Sequence, residues 1–553
     1  MSASKNKVIA KYFFFLYNEV NLFKRIKDKS IWITFCEESF MNTKAATFFK
    51  KADQYRTAII IGIFFLYTVF MQANPSLAAL SHEYKTGLFV AILLLYLAGC
   101  FFMAKTKRLT TDDKVFLLIT GGVILRSYYV ICTGVVDRQH DEGYFSGLSD
   151  DLINPGHLGY IEYLCKFGHL PDFSPYKLFS YYHPPFHHIL SCLFIDLQML
   201  FGAGDRLAFE NIQALTLLYS SLCLTVGYGV LKKMKCSDTC MVLAMALLTF
   251  HPGMIYMSAS VNNDMLSTLL TFTCFYFALC WMEHKSLKNL ILIALSLGFG
   301  MITKLNVAVM AFPLAAVFLM HFVKECKAGR VWKSIREFAI FGVLTAGIGL
   351  SWVIRNLVFY NTNPGVPILP PESEQYIGKF SYWQIFGLPA SAELAYPFHT
   401  INGNTICNTW QILFRTSIFD EVRPELSDFL LQCCRVALIL ATTLGILLFV
   451  INILMAIREI RKGNRELGVF LLVGYILVVL TFIAFIIKYP YTCSANFRYV
   501  VVGLLFSVIG LIQFCDHSRM ENRVHKVCAA VLEYLVLSFV IIVTLILLTW
   551  NQW

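Results

Sequence analysis

Charged side chains are scarce in this chain: 15% of 553 residues, against 57% hydrophobic ones. So much apolar surface cannot be hidden inside one soluble core, which excludes an ordinary globular domain and predicts a polytopic membrane protein. The seventeen cysteines include no CxxC pair, and many sit in apolar runs (Cys223, Cys240, Cys274, Cys280). Neither a disulfide framework nor a zinc motif is expected from them. No glycine-rich phosphate loop is present, so nothing in the chain is built for a nucleotide. The alternating segments of about 10 residues that a membrane barrel requires are missing too, which leaves helices of about 20 apolar residues as the spanning element.

Runs of that kind recur between residues 57 and 549 and predict about thirteen transmembrane helices. The net charge of +11 comes from basic clusters between them: KTKR at 105–108, KKMK at 232–235, the 324–336 loop and the stretch from Arg458 to Arg465. These fall on one side, the cytoplasm, and do not form the single basic face that a nucleic acid would need. The organisation expected is a basic cytoplasmic segment at 1–56, an additional transmembrane hairpin at 57–113 and a core at 114–354. A large outer loop at 355–431 and C-terminal helices at 432–553 follow. Met41, followed by a basic lead into the first span, is an alternative translation start. Residues 184–201 are apolar but carry His187, His188 and Asp196 behind two prolines, and are expected to lie in the outer interface rather than to cross.

Where the third predicted span stops, the chain turns polar. Asp137, Asp141, Glu142, Asp150 and Asp151 fall within fifteen residues, at the start of a loop running from 137 to 210. Acids at a helix end beside a bilayer suit a site that handles a proton or a cation. The alternative is a set of solvated carboxylates and helix caps.

Several short motifs then occur in order. An apolar helix is followed by Asp141, Glu142 and Tyr144, and later by His183-Pro184-Pro185. Further on stand VNNDMLSTLL (Val261 to Leu270), ITKLN (Ile302 to Asn306), RNLVFYNTNPG (Arg355 to Gly365) and NFRYV (Asn496 to Val500). In content and order this set resembles the GT-C glycosyltransferases, above all the protein O-mannosyltransferases and the lipid A aminoarabinose transferases. The resemblance implies an all-α GT-C fold whose first outer loop is catalytic and contains juxtamembrane helices. It implies a donor sugar carried on a polyprenyl phosphate, and an acceptor hydroxyl on a protein or glycan at the extracytoplasmic face of the bilayer. Two departures narrow it. The helix after the loop opens ENIQALTLL from Glu210, without the arginine common in the mannosyltransferases, and 355–431 is too short for the lectin-like module of the eukaryotic ones. A prokaryotic plasma membrane is therefore the expected setting.

By its place in the Asp-Glu motif, Asp141 is the expected general base of an inverting displacement, with Glu142 holding the acceptor or a cation and Asp137 as the fallback base. His183, Lys304, Arg355 and Arg498 are the expected partners of the leaving phosphate, each of which taken singly could also be a snorkelling interfacial residue. Asp264 is either a helix cap or a site acid, and Tyr144 and His187 complete the candidates. The i, i+4 pair His183 and His187, with His188, can hold a divalent metal ion together with Asp141 or Asp137, so a metal stays an optional cofactor. A transporter or flippase for a lipid-linked glycan or other solute is the other class. It calls for mid-membrane charges and inverted repeats, and neither is evident in the sequence.

Overall fold

Apolar runs bounded by polar caps become helices. The computed structural model describes residues 55–137, 140–365, 373–388, 397–398, 407–421 and 426–549. The N-terminal segment, with the alternative start at Met41, lies outside them. Among the described residues all regular elements are helical. In chain order, those that position the site or span the chain are α1 (Arg56–Ala73), α2 (His82–Thr106), α3 (Thr111–Cys132), α4 (Gly156–Phe167), α5 (Phe186–Leu200), α6 (Asp205–Glu210), α7 (Gln213–Lys233), α8 (Asp238–Phe250) and α9 (Asp264–Glu283). There follow α10 (Leu287–Met301), α11 (Ala311–Lys327), α12 (Val331–Gly349), α13 (Ser351–Tyr360), α14 (Thr409–Phe419), α15 (Asp428–Arg461), α16 (Arg465–Lys488), α17 (Gly503–Arg519) and α18 (Arg523–Thr549).

Helix starts follow local chemistry. The Thr110 hydroxyl accepts from Asp113 N, and the Asp113 carboxylate accepts from Thr110 N, a reciprocal box that opens α3. Asn408 caps α14 through the amides of Trp410 and Gln411, and Ser427 caps α15 through Leu430 N.

Nine helical stretches among the described residues are long and apolar enough to cross a membrane, and α12 with α13 makes a tenth if that pair, bent by 52°, is one span. The protein is thus an integral, multi-pass membrane protein. The other expected spans, at 239–257, 287–303 and 497–515, are helical but short: α8 has 13 residues, α10 has 15 and α17 has 17. Pro252 breaks the run after α8, which resumes only as the single turn Pro252–Tyr256. Beyond α10 the chain turns to present Lys304, and before α17 it makes two 3₁₀ turns that carry Asn496 and Arg498.

One charge sits inside a span, where the sequence was read as having none. Arg126 of α3 is fully buried and has no acidic partner. Its Nε donates to the Ser220 hydroxyl at 2.9 Å, and its Nη1 donates to the carbonyls of Gly122 and Thr249 at 3.0 and 2.8 Å. It thereby ties α3 to α7 and to the end of α8 through neutral acceptors.

Between α3 and α7, the loop 137–210 holds α4, α5 and α6. α4 packs on α5, and both pack over the ends of the long helices.

Candidate active site

The polar loop is fixed to α4 by the Glu162 carboxylate, which accepts from Ser146 N and Gly147 N at 3.1 and 2.8 Å, and at its start by backbone. The first amides of a helix have no partner within it, and here the Asp141 and Glu142 carbonyls accept from His157 N and Leu158 N at 2.9 and 2.8 Å. That docking needs two glycines. Gly143 (φ 72°) and Gly156 (φ 88°) lie back to back in the left-handed region, and a Cβ on Gly143 would stand 1.9 Å from the Pro155 carbonyl oxygen. We therefore expect Gly143→Ala to disrupt the loop, with a fall in thermal stability of about 1–3 kcal/mol and loss of function. Gly168 (φ 68°), at the open end of α4, shares the left-handed backbone but has nothing near its Cβ, so Gly168→Ala should lose only the backbone part of that stability in the same melt. Equal stability of the two variants would rule out the packed glycine pair.

Asp141 itself has φ 61°, unusual for a side chain that is not glycine. The twist points its carboxylate toward the turn before α17, where Arg498 Nη2 donates to Oδ2 at 3.2 Å. Arg498 is also 4.0 Å from Asp264 at the start of α9, and Asp264 forms an ion pair with Lys304. Asp141, Arg498, Asp264 and Lys304 thus form one alternating chain of charges drawn from four distant segments. Tyr499 completes it: Lys304 and Arg498 both lie over its ring, at 4.8 and 5.0 Å, and Arg498 Nη2 donates to its hydroxyl at 3.1 Å. Burial alone would raise the Asp141 carboxyl, but Arg498 above all, with His140, outweighs it and holds the group below the usual carboxylate range. It is ionised at neutral pH.

A second acid–histidine pair adjoins the first. His140 Nε2 lies 2.9 Å from Asp420 Oδ1, its Nδ1 is 3.8 Å from Glu421, and the Asn496 side chain donates to both acids. Burial and the nearby Arg498 oppose a charge on His140, yet Asp420 and Glu421 prevail and raise it to about 9. A raised histidine stabilises the fold while protonated. Its contribution is complete below the ordinary value near 6.5 and fades as pH climbs through about 9. The melting temperature should therefore fall between pH 7 and 10, and Asp420→Asn should flatten that slope. A slope unchanged in Asp420→Asn would show that the pair does not carry it.

Burial first of all lowers His157, His183, His187 and His188 and holds these four rings neutral. His157 Nδ1 and His188 Nε2 share one hydrogen bond of 2.9 Å, and His183 stacks on His157 at 4.9 Å. Burial first, then the neighbouring Lys304 and Arg498, push the His183 ring well below its usual value. His183 can therefore offer a phosphate a hydrogen bond but not a charge. His187 Nε2 is bound to the Val261 carbonyl at 2.6 Å. The expected histidine group does not converge as metal ligands. Among the described residues, the sets with converging ligand atoms are Cys165, Cys192 and Asp196, and Cys240, Cys515 and Glu533.

Other candidates lie apart. Arg355 on α13 donates to the Pro171 carbonyl and the Asn356 side chain and stacks on Trp352 and Tyr360, so none of its contacts is with Asp141 or its partners. Tyr144 is 70% exposed. Asp137 Oδ2 accepts from Gly134 N at 2.9 Å and closes the end of α3. Glu142 is half-buried and makes no side-chain hydrogen bond or ion pair among the described residues. The sequence reading passed over His140, His157 and Asp420, and named Asn496 and Tyr499 only within the NFRYV motif, without a role. Asp420 carried a usable signal, since Asp420-Glu421 repeats the pattern of an apolar run followed by Asp-Glu.

The cavities beside Arg498 are small, about 50 and 10 Å³, the latter lined by His140, Asp264, Asp420 and Arg498. Residues 182–350 match the family model described as dolichyl-phosphate-mannose-protein mannosyltransferase. That is the family resemblance read from the motifs, and the matched segment contains His183, Asp264 and Lys304.

Solved structures give weaker likenesses. The apo oligosaccharyltransferase of Archaeoglobus fulgidus is 11% identical with a TM-score of 0.42, over 79% of this chain and 56% of that one. This chain thus spans little more than half the length of that protein. Apo ArnT from Cupriavidus metallidurans is 11% identical with a TM-score of 0.43, over 79% of this chain and 75% of that one. The same ArnT bound to undecaprenyl phosphate gives 14%, 0.32, 73% and 78%. No curated protein matches the chain.

Proposed function

We propose that the protein is a membrane glycosyltransferase that moves a sugar from a polyprenyl-phosphate donor to an acceptor hydroxyl at the extracytoplasmic face, with Asp141 as base and inversion at the anomeric carbon. The observation that carries this reading is Arg498. It is buried, it is shared between Asp141 and Asp264, and its Nε has no hydrogen-bond partner among the described residues. A buried donor without an acceptor is costly, and a phosphate oxygen would satisfy it.

The chemistry then balances as follows. The acceptor oxygen forms a bond to the anomeric carbon as the bond from that carbon to the phosphate oxygen breaks, and Asp141 takes the hydroxyl proton. Polyprenyl phosphate leaves with the bonding electrons, and Arg498 and Lys304 stabilise its added charge. A carboxylate held acidic by Arg498 is a weak base. Engagement of Arg498 by the donor phosphate would draw the guanidinium from Asp141 and restore basicity when the substrate is bound.

A panel of radiolabelled polyprenyl-phosphate sugars incubated with the purified protein and membrane acceptors tests the reading. Transfer from one donor, with an inverted product, is the expected result. No transfer from any donor, with the protein folded and inserted, would end it.

A further inference from the structure

A large cavity, about 1160 Å³, lies at the far end of the helices from Asp141. α9 begins at Asp264 in the site and ends at Glu283 on the cavity wall. α17 follows Arg498 and ends near Asp516 and His517, which also line it. This is the end that the basic clusters assign to the cytoplasm.

Its wall carries an excess of cations. Seven lining residues are Lys or Arg and four are Asp or Glu. Some are neutralised within the protein: Lys233 pairs with Glu283 at 2.5 Å and Lys324 with Glu466 at 2.8 Å. Lys235, Lys327 and Arg465 have no acidic partner among the described residues, and Lys462 has only a 3.8 Å approach to Glu459. Like charges gathered in a concave wall repel one another unless an anion joins them.

The same cavity has an apolar flank. Leu319 and Val323 of α11 line it and are 63% and 45% exposed, on a helix apolar enough to span the bilayer. Unpaired cations beside exposed aliphatic side chains suit a ligand with an anionic head and hydrocarbon tails. Basic pockets between spans at this membrane face bind phosphate-bearing headgroups.

We infer that this cavity binds the phosphate of an anionic phospholipid, with its acyl chains along Leu319 and Val323. A soluble polyphosphate offers the same phosphate chemistry, so the test separates the two sources.

The full chain, in a neutral detergent, is offered dioleoyl phosphatidic acid, dioleoyl phosphatidylcholine or inorganic pyrophosphate, and bound ligand is counted by native mass spectrometry. Retention of phosphatidic acid should exceed that of phosphatidylcholine by about tenfold or more. The preference should vanish in the Lys327→Gln, Arg465→Gln double variant and persist in Lys105→Gln, an exposed cation of another basic cluster. If the double variant fails to fold, Lys235→Gln alone should show a reduced preference. Equal retention of the two lipids overturns the inference, as does an equal loss in Lys105→Gln. Pyrophosphate binding without any lipid preference overturns the lipid and assigns the cavity to a soluble anion.

Discussion

Asp141→Asn is expected to reduce sugar transfer by about 10²- to 10⁴-fold, the range over which a positioned base contributes, while leaving the protein folded and inserted. The two halves of that expectation have different sources. Activity falls because the amide cannot take the acceptor proton. The fold persists because little depends on the side-chain charge: the loop is held by the Asp141 and Glu142 carbonyls on α4, which the substitution keeps. Arg498 also retains Asp264 within 4.0 Å and the Tyr499 hydroxyl at 3.1 Å. Parallel melting curves and transfer assays of the wild type and the variant would decide the matter. Wild-type activity in Asp141→Asn would move the base elsewhere, and Asp420, held on the same Arg498 side of the site through His140 and Asn496, would be the next carboxylate to replace.

Arg498→Leu should have the largest structural effect of any single change at the site. Removing the guanidinium leaves Asp141 without its 3.2 Å partner, and leaves Asp264 with Lys304 alone. Breaking a buried pair from one side costs about 3–5 kcal/mol. Both stability and transfer should therefore collapse. Arg498→Lys separates the two contributions: it restores a cation but not a planar fork that can be shared between two carboxylates and then turn to a phosphate. Its thermal stability should recover in good part while transfer stays low. Full transfer by Arg498→Lys would mean that Arg498 supplies charge alone and that its geometry is irrelevant to the reaction.

How far the sequence disclosed this arrangement depended on the kind of interaction. Apolar length identified the helices, because a run of about 20 such residues leaves few other stable choices in a bilayer. It could not reveal that Pro252 and the turns bearing Lys304 and Arg498 shorten three of them. Asp141, Asp264, Lys304 and Arg498 stood out as charges at the ends of apolar runs, where each needs a partner. Arg355 stood out for the same reason and found its partner in the Pro171 carbonyl. Position in the chain cannot separate these cases, since only tertiary packing decides what faces a helix end. His140 and Asp420 were illegible for a related reason: each reads as a loop residue until a contact across 280 positions joins them. Arg126 was hidden by the apolar residues around it, since its Nε and Nη1 donate to a hydroxyl and to carbonyls rather than to an acid.

The separation between Asp141 and Arg498, 357 residues, also has a meaning in time. A ribosome adding about 5–20 residues each second needs roughly 20–70 s to bring the second after the first. Asp264 and Lys304, only 40 positions apart, can pair early in that interval. The loop can dock as soon as α4 has formed and His140 waits for Asp420, but Asp141 waits for the segment that carries Arg498. An arrested chain ending before Asn496 would display a docked loop whose Asp141 carboxylate lacks its guanidinium partner.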